Sequence, residues 1–592
     1  MGLTIGDLIS VLYSTNPATE GSSMSKAPSW PADAYGLCSY LLEASGTYDY
    51  VLRPEWLSTV DLTQWQKTVR ETGDHWLALQ EIEEVPDLIQ QCWDTVWENR
   101  TIELINLPNL VYANSEAGDT KKDEAKTNSE VVKALVKIAL IADETHSVLN
   151  LPELKNAEKY ISRIRSVFET CSIADAKQTI DEFVNECNKN LKFNSTNFLA
   201  SSTMGRNLEA SMVRVLPKKK SPEVGISLRS ITQNIGIWTK NEVLPRWIEI
   251  GPSKLTGKVN SALNVLLVPW PNEVRPSQFR AIESDCDMPD DFRFFDYEID
   301  TEPSEMKTEL GPVVVEKPLE ITNHVKSLLA KAKQSIGEID VVIFPELSIN
   351  ETSFDALAEY LRKEDVALIA GLGDLDQDEN ANCPLESANQ VRMQIPGLDF
   401  PIIQSKHHRW KLERSQIVQY GLGSILDVEK SWWENTRVAR RTLNFVQLHQ
   451  RFVMSTIVCE DLARQDPVAG LLRAVGPNLI VALLMDGPQM ATRWPNRYAT
   501  VLADDPSSSV LTLTSIGMAK LSCPPSVKSP SRSIGLWKDP TGDPVEINLD
   551  ATADAVVLCL SMNKATFYTA DGRESRFKAN TPVFAGIHQI NK

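Results

Sequence analysis

The sequence predicts an α/β protein (α+β over the whole chain) in two parts. A mostly helical region over residues 1–210 is followed by a strand-and-helix connection at 211–259 and a larger α/β domain over 260–592. Three observations carry that expectation. Apolar residues in the first part recur at helical spacing. In the second part, short β-branched apolar runs alternate with helical patterns, as in a sheet layered with helices. Two of those runs deliver a chemically capable residue at their ends, Glu346 and Cys459.

The bulk properties agree. At 592 residues the chain is too long for one ordinary core, so two or more domains are expected. A composition of 42% hydrophobic and 23% charged residues is that of a globular protein. A net charge of −19 and a pI near 5.0 argue against a general nucleic-acid-binding surface. Nine cysteines without a CxxC pair make no disulfide framework and suit a reducing cytoplasm. Met1–Asp7 has neither a basic stretch nor a long apolar core, so no signal peptide is expected. No apolar run approaches 18 residues, so no membrane span is expected either.

In chain order, Leu8, Ile9, Val11 and Leu12 mark a short opening helix. Leu37, Leu41 and Leu42 mark a second, and Trp56, Trp65, Trp76, Trp93 and Trp97 fall in or beside further helical patterns as core residues. Asn114–Ser129 is polar and reads as a mobile loop, with a capping box at Thr127–Glu130 opening a helix to about Ala142. Two more helices are expected near 152–171 and 173–191. Ser211–Pro217 reads as a strand, Lys218-Lys219-Lys220 as an exposed basic linker between prolines, and Val224–Trp247 as helix. Leu263–Pro269 is a buried strand, and Glu283–Glu309 an acidic surface excursion. Helix Ile321–Ser335 leads to the Glu346 strand.

Val341-Val342-Ile343-Phe344-Pro345-Glu346 is an apolar run closed by a proline, which stops the strand and leaves Glu346 at the sheet's rim. A charge after a strand is usually its solvated end. A helix (Phe354–Arg362) and a strand (Val366–Gly371) follow. Gly371-Leu372-Gly373 lacks the third glycine and the lysine of a nucleotide loop and reads as a chain turn. Gln404–Arg414 is a cationic cluster; its His407-His408 pair has no metal-ligand spacing, so no metal site is expected. Phe452–Val458 is a second β-branched run, ending in Cys459-Glu460-Asp461 and a helical pattern. Strand, sharp turn and helix expose a nucleophile beside unpaired backbone N–H groups. A lone cysteine is usually a small buried hydrophobe, yet the two acids after this one are poor core residues. Strands at Asn478–Met485, Ser509–Ser515 and Ala555–Ser561, a helix at Arg497–Ala503 and a hairpin over Arg532–Val545 complete the domain.

Glu346, Lys406 and Cys459 follow one another at gaps of 60 and 53 residues, within "FPE", "KHHRWKLER" and "VCEDL". In that order and context the chain resembles the nitrilase superfamily of carbon–nitrogen hydrolases over about 260–592. The resemblance implies an α-β-β-α sandwich and a cysteine hydrolase of nonpeptide C–N bonds working through a thioester. It makes Glu346 the general base, Lys406 the catalytic lysine, Cys459 the nucleophile and Glu413 a second glutamate; Lys411 is the rival lysine. The backbone N–H of Glu460 would serve the oxyanion. Amides or carbamoyl compounds fit better than nitriles, because Glu-Asp-Leu follows the thiol. No cofactor is implied. The expected partners are a small-molecule substrate and further copies of the chain, with the helical half available to a protein partner. A second reading keeps the fold but not the turnover, as a scaffold or sensor. The helical half and the Leu266–Pro271 opening are similar to nitrilase modules that accompany bacterial defence reverse transcriptases, although this chain has no reverse-transcriptase core.

Overall fold

Two mixed sheets of seven strands lie face to face in the C-terminal half. The computed structural model describes residues 2–13, 24–50, 53, 60–109, 119–149, 203–220, 227–250, 253–282 (without 254, 256, 258 and 260), 292–299, 304–308, 311–315, 318–373, 388–438, 441–449, 452–523, 527, 529–576 and 578–591. The first sheet runs Ile402–Ser405, Gln390–Gln394, Ala367–Leu372, Val341–Ile343, Ala262–Leu267, Ala553–Ala565, Ala579–Asn591. The second runs Val545–Asn548, Ser533–Lys538, Ser509–Thr514, Leu479–Leu484, Phe452–Val458, Thr442–His449, Leu244–Glu249. The central strands of each pair in parallel. Both faces of such strands are covered, which is why their sequences are continuously apolar rather than alternating.

Alternation still decides which way each side chain points. Val265, Leu267, Val341, Ile343 and Ile369 face the second sheet, in one core with Phe445, Ile457 and Ile480. Their neighbours Leu266, Val342, Phe344 and Leu368 face outward. There they meet Val325, Leu328 and Leu329 of helix Pro318–Ile336 and Phe354, Leu357 and Leu361 of helix Glu351–Lys363. Helices Gly470–Val475 and Trp494–Asp504 cover the second sheet. The expected α-β-β-α sandwich is therefore the fold of this half. A third sheet of four strands (Lys411–Leu412, Ser431–Glu434, Phe292–Tyr297, Phe279–Ala281) forms a roof over one end, around Phe279, Phe295, Trp410, Tyr420 and Trp432. Part of the expected acidic surface excursion is thus a structural strand, because Phe292, Phe294 and Phe295 pair with Ser431, Trp433 and Glu434.

The N-terminal half packs helices Ile5–Leu12, Pro31–Ser45, Leu62–Leu79 and Asp87–Glu98 around the 31-residue helix Asp119–Leu149. No helix among the described residues is long and apolar enough to cross a membrane. The expected loop at Asn114–Ser129 is helical from Asp119 onward. Its residues are good helix formers, and the side chains of Asp123–Thr127 stay out of the core, so apolar periodicity begins only at Val131. Thr127 is no cap, since its hydroxyl bonds back to the Asp123 carbonyl at 3.0 Å. The helices expected at 152–171 and 173–191 lie outside the described residues.

Two further expectations fail at the junction. Residues 224–247 were expected helical, yet Ile235–Trp238 and Leu244–Glu249 are strands, the second an edge strand parallel to Thr442–His449. Their isoleucines, tryptophans and Pro245 suit a sheet edge better than a helix. The three lysines are no exposed linker. Lys218 is buried with its ammonium on the carbonyls of Arg229 and Thr232, and Lys220 is buried on the Ser507 carbonyl and Thr581 Oγ1. Lys219 lies over the Trp247 ring.

The halves are also joined by charge. The chain between the last two strands enters the helical half, where Arg573, fully buried, bonds Asp571 (2.9 Å), Glu144 (3.1 Å) and the Ile231 carbonyl (2.9 Å). Asp143 accepts the backbone N–H groups of Gln233, Asn234 and Ile235 at 2.8–3.1 Å.

Candidate active site

Glu346 leaves the first sheet where Pro345 ends the Val341–Ile343 strand. Leu347 then takes a left-handed conformation, φ 48°, strained for a branched side chain. The turn is held tightly to the next strand: Gly371 donates to the Pro345 carbonyl at 3.1 Å, and Ser348 N–H donates back to the Gly371 carbonyl at 2.9 Å. A Cβ on Gly371 would lie 2.4 Å from the Pro345 oxygen and 2.5 Å from Glu346 Cα. Close approach of backbones, not turning of the chain, explains that glycine.

Lys406 follows the edge strand Ile402–Ser405. Its ammonium, 1% exposed, lies 2.7 Å from Glu346 Oε1 and 2.6 Å from Glu434 Oε2. Asn389 donates to both glutamates, at 2.8 and 2.7 Å, and its carbonyl accepts the Lys406 N–H at 3.0 Å. Glu434 Oε2 also accepts the Trp410 N–H at 2.9 Å. Glu346 Oε2 is buried without a hydrogen-bond partner among the described residues.

Cys459 closes the Phe452–Val458 strand with φ 44° and ψ −104° and begins the turn of helix Glu460–Ala463. Its N–H bonds the Leu483 carbonyl at 2.8 Å, and the Met485 N–H donates to the sulfur. Among the charges that bear on the thiol, Glu346 and Lys406 are foremost. The Glu460 amide lies in that first turn, where a helix leaves N–H groups without intrahelical acceptors; the Glu460 side chain turns away to Arg464.

The electrostatics follow from burial. Desolvation pushes the Glu346 carboxyl above its ordinary range; Lys406 opposes this and Glu434 adds to it. Desolvation likewise pushes the Cys459 thiol up, with Glu346 adding and Lys406 opposing. Burial disfavours the Lys406 charge, but Glu346, Glu434 and Cys459 outweigh it and hold the ammonium well above its usual range. Burial thus works against charge on the thiol and on the carboxyl, while the two glutamates favour the charge on the ammonium. A pocket of about 400 Å³, including its mouth, opens onto the two glutamates, between Phe295, Tyr297, Leu347, Trp410 and Met485.

Glu413 does not join the site. Its side chain is 60% exposed and pairs with Lys411 at 2.7 Å. The short Lys411–Leu412 strand carries Leu412 inward and leaves its neighbours outside. The second glutamate beside Lys406 is Glu434, from the roof strand Ser431–Glu434. Asn389 was also missed as a site residue. The only local signal for Glu434 was a carboxylate ending a Trp-Trp run; Asn389 had none.

No protein-family model matches the sequence, and no curated protein matches it. Among solved structures it is similar to an amidase from Nesterenkonia sp. (11% identity, TM-score 0.29, 51% of this chain and 90% of that one). It is also similar to Nit3 of Saccharomyces cerevisiae, of the nitrilase superfamily (11%, 0.30, 50% and 89%). A third is a CN-hydrolase superfamily protein of Xanthomonas campestris (16%, 0.27, 42% and 85%).

Proposed function

We propose that the protein is a cysteine hydrolase of nonpeptide carbon–nitrogen bonds, with amides or carbamoyl compounds as substrates. The observation that carries this reading is Lys406, a buried ammonium clasped by two glutamates beside a strained cysteine turn. Glu346 takes the proton of the Cys459 thiol as sulfur attacks the carbonyl carbon. Two of the three Lys406 donors are spent on glutamates; the third, with the Glu460 amide, meets the developing oxyanion. The tetrahedral intermediate collapses by breaking the C–N bond, and Glu346 returns its proton to the departing nitrogen. Water then attacks the thioester, giving a proton to Glu346, and the thiolate leaves and is reprotonated as the acid departs. Glu434 and Asn389 hold Lys406 and Glu346 in register.

The test is ammonia release from short aliphatic amides and N-carbamoyl compounds, together with mass spectrometry of iodoacetamide-treated protein. Cys459 should be alkylated faster than the other eight cysteines, and Cys459→Ala should abolish turnover with the fold intact. Glu346→Gln should lower turnover by about 10²–10⁴-fold, the usual worth of a general base. Turnover that survives Cys459→Ala sinks the proposal.

A further inference from the structure

We infer that Asp461, two residues after the proposed nucleophile, is a positioning residue that ties the lysine turn to the cysteine turn. The inference rests on the proposed function, because it assigns Asp461 a part in that chemistry. Lys406 and Cys459 come from different sheets, and no shared strand fixes their separation. Asp461 spans it. Its side chain is 1% exposed, and both carboxylate oxygens accept the backbone N–H of His407, at 3.0 and 3.1 Å. Oδ1 also meets His408 Nδ1 at 2.9 Å.

His407 adjoins Lys406, so those bonds act on the lysine's own backbone. With Lys406 N–H on the Asn389 carbonyl, the lysine is held from both sides. The direction of the Asp461 side chain is informative. A carboxylate in the first turn of a helix can serve that helix's own amides, yet this one leaves its turn to reach another segment. A buried carboxylate is expensive unless it is hydrogen-bonded, and here the bonds that offset the cost all go to the lysine turn. The imidazole of His407 takes no part as a cation. Its Nε2 faces the Thr442 carbonyl at 2.9 Å and the Gln404 side-chain amide at 3.2 Å. Burial holds the ring below its ordinary pKa, and Nδ1 stands 3.9 Å from Asp461.

The experiment follows iodoacetamide alkylation of Cys459 in the full chain across pH. It compares wild type with Asp461→Ala, Asp461→Asn and His408→Ala, each with a melting curve. Asp461→Ala should slow alkylation at least tenfold and move its pH profile upward, because a displaced Lys406 no longer favours the thiolate. Asp461→Asn keeps an acceptor for the His407 N–H and should stay within threefold of wild type; so should His408→Ala, which removes only the outer bond. An Asp461→Ala protein that melts lower but alkylates with the wild-type rate and pH profile overturns the inference, since the residue is then purely structural. Should that variant not fold, Asp461→Glu decides: its extra methylene displaces the anchor, and a wild-type rate and profile there overturns the inference equally. If wild type itself shows no selective, Lys406-dependent alkylation, the proposed function falls and this inference with it. Selective wild-type labelling with Asp461 variants unchanged removes the inference alone.

Discussion

Arg573 and Lys406 are both buried cations set among carboxylates, one where the two halves of the chain meet and one at the end of the sandwich. Around Arg573 every buried acceptor is used. Asp143 takes three backbone N–H groups, Glu144 takes Arg573 and Arg576, and Asp571 takes Arg573 and the Thr569 hydroxyl. Around Lys406, Glu346 Oε2 has no hydrogen-bond partner among the described residues and the cluster borders a pocket. Carboxylates satisfied in this way rigidify a core, whereas a buried carboxylate oxygen left short of a partner calls for an explanation. The backbone agrees. The lysine site adjoins left-handed Leu347 and Cys459, and strain of that kind collects where function requires it.

Three substitutions press on this contrast. Arg573→Met should do most harm to the fold. It strands Asp143 and Asp571 without their cation, leaves Glu144 with Arg576 alone, and should cost about 3–5 kcal/mol, as breaking a buried ion pair does. Denaturant unfolding measures that loss, while Cys459 alkylation in the folded fraction should stay at the wild-type rate; a slowed rate would show that the two clusters are coupled. Gly371→Ala should reverse the balance. Overpacking against Pro345 costs about 1–3 kcal/mol, and because Glu346 moves with its backbone, alkylation should fall by a larger factor than stability alone explains. The smallest effect concerns Lys220, a third buried cation, whose pKa burial lowers to about 7. A depressed lysine binds fewer protons folded than unfolded, so its contribution to stability rises with pH from about 7 until the unfolded pKa is passed, at most about 1.4 kcal/mol per pH unit. Lys220→Met should flatten the stability–pH curve in that window relative to wild type. Parallel curves would mean that Lys220 stays charged.

Much of the site could be read along the chain. Glu346 and Cys459 end apolar runs, and a strand end is where a sheet presents a polar group to a pocket. Lys406 stood in a conspicuous basic segment. Glu413 misled because seven residues from Lys406 is near in sequence, yet the Lys411–Leu412 strand between them turns it to solvent. Glu434, 28 residues on, returns beside the lysine only because the roof strand pairs with Phe292–Tyr297. Asp461 looked like an acid out of place in a core until the lysine turn was set against it. At the junction of the two halves, Lys218 and Lys220 misled because their acceptors are supplied by other segments: Arg229 and Thr232, 11 and 14 residues on, for Lys218, and Ser507 and Thr581, far along the chain, for Lys220.

From the sequence alone came what depends on local periodicity: helices before sheets, the positions of the central strands along the chain, and a carboxylate, an ammonium and a thiol at segment ends. Side-chain spacing repeats every 2 or 3.6 residues, and that much survives without knowledge of neighbours. Only the tertiary structure decided which glutamate clasps Lys406, what holds the lysine turn to the cysteine turn, and that the lysines at 218 and 220 are buried. Each of those is a contact between residues that are not neighbours along the chain. Burial and hydrogen bonding act on distance in space, and a residue's own neighbours along the chain do not encode which distant group will satisfy it.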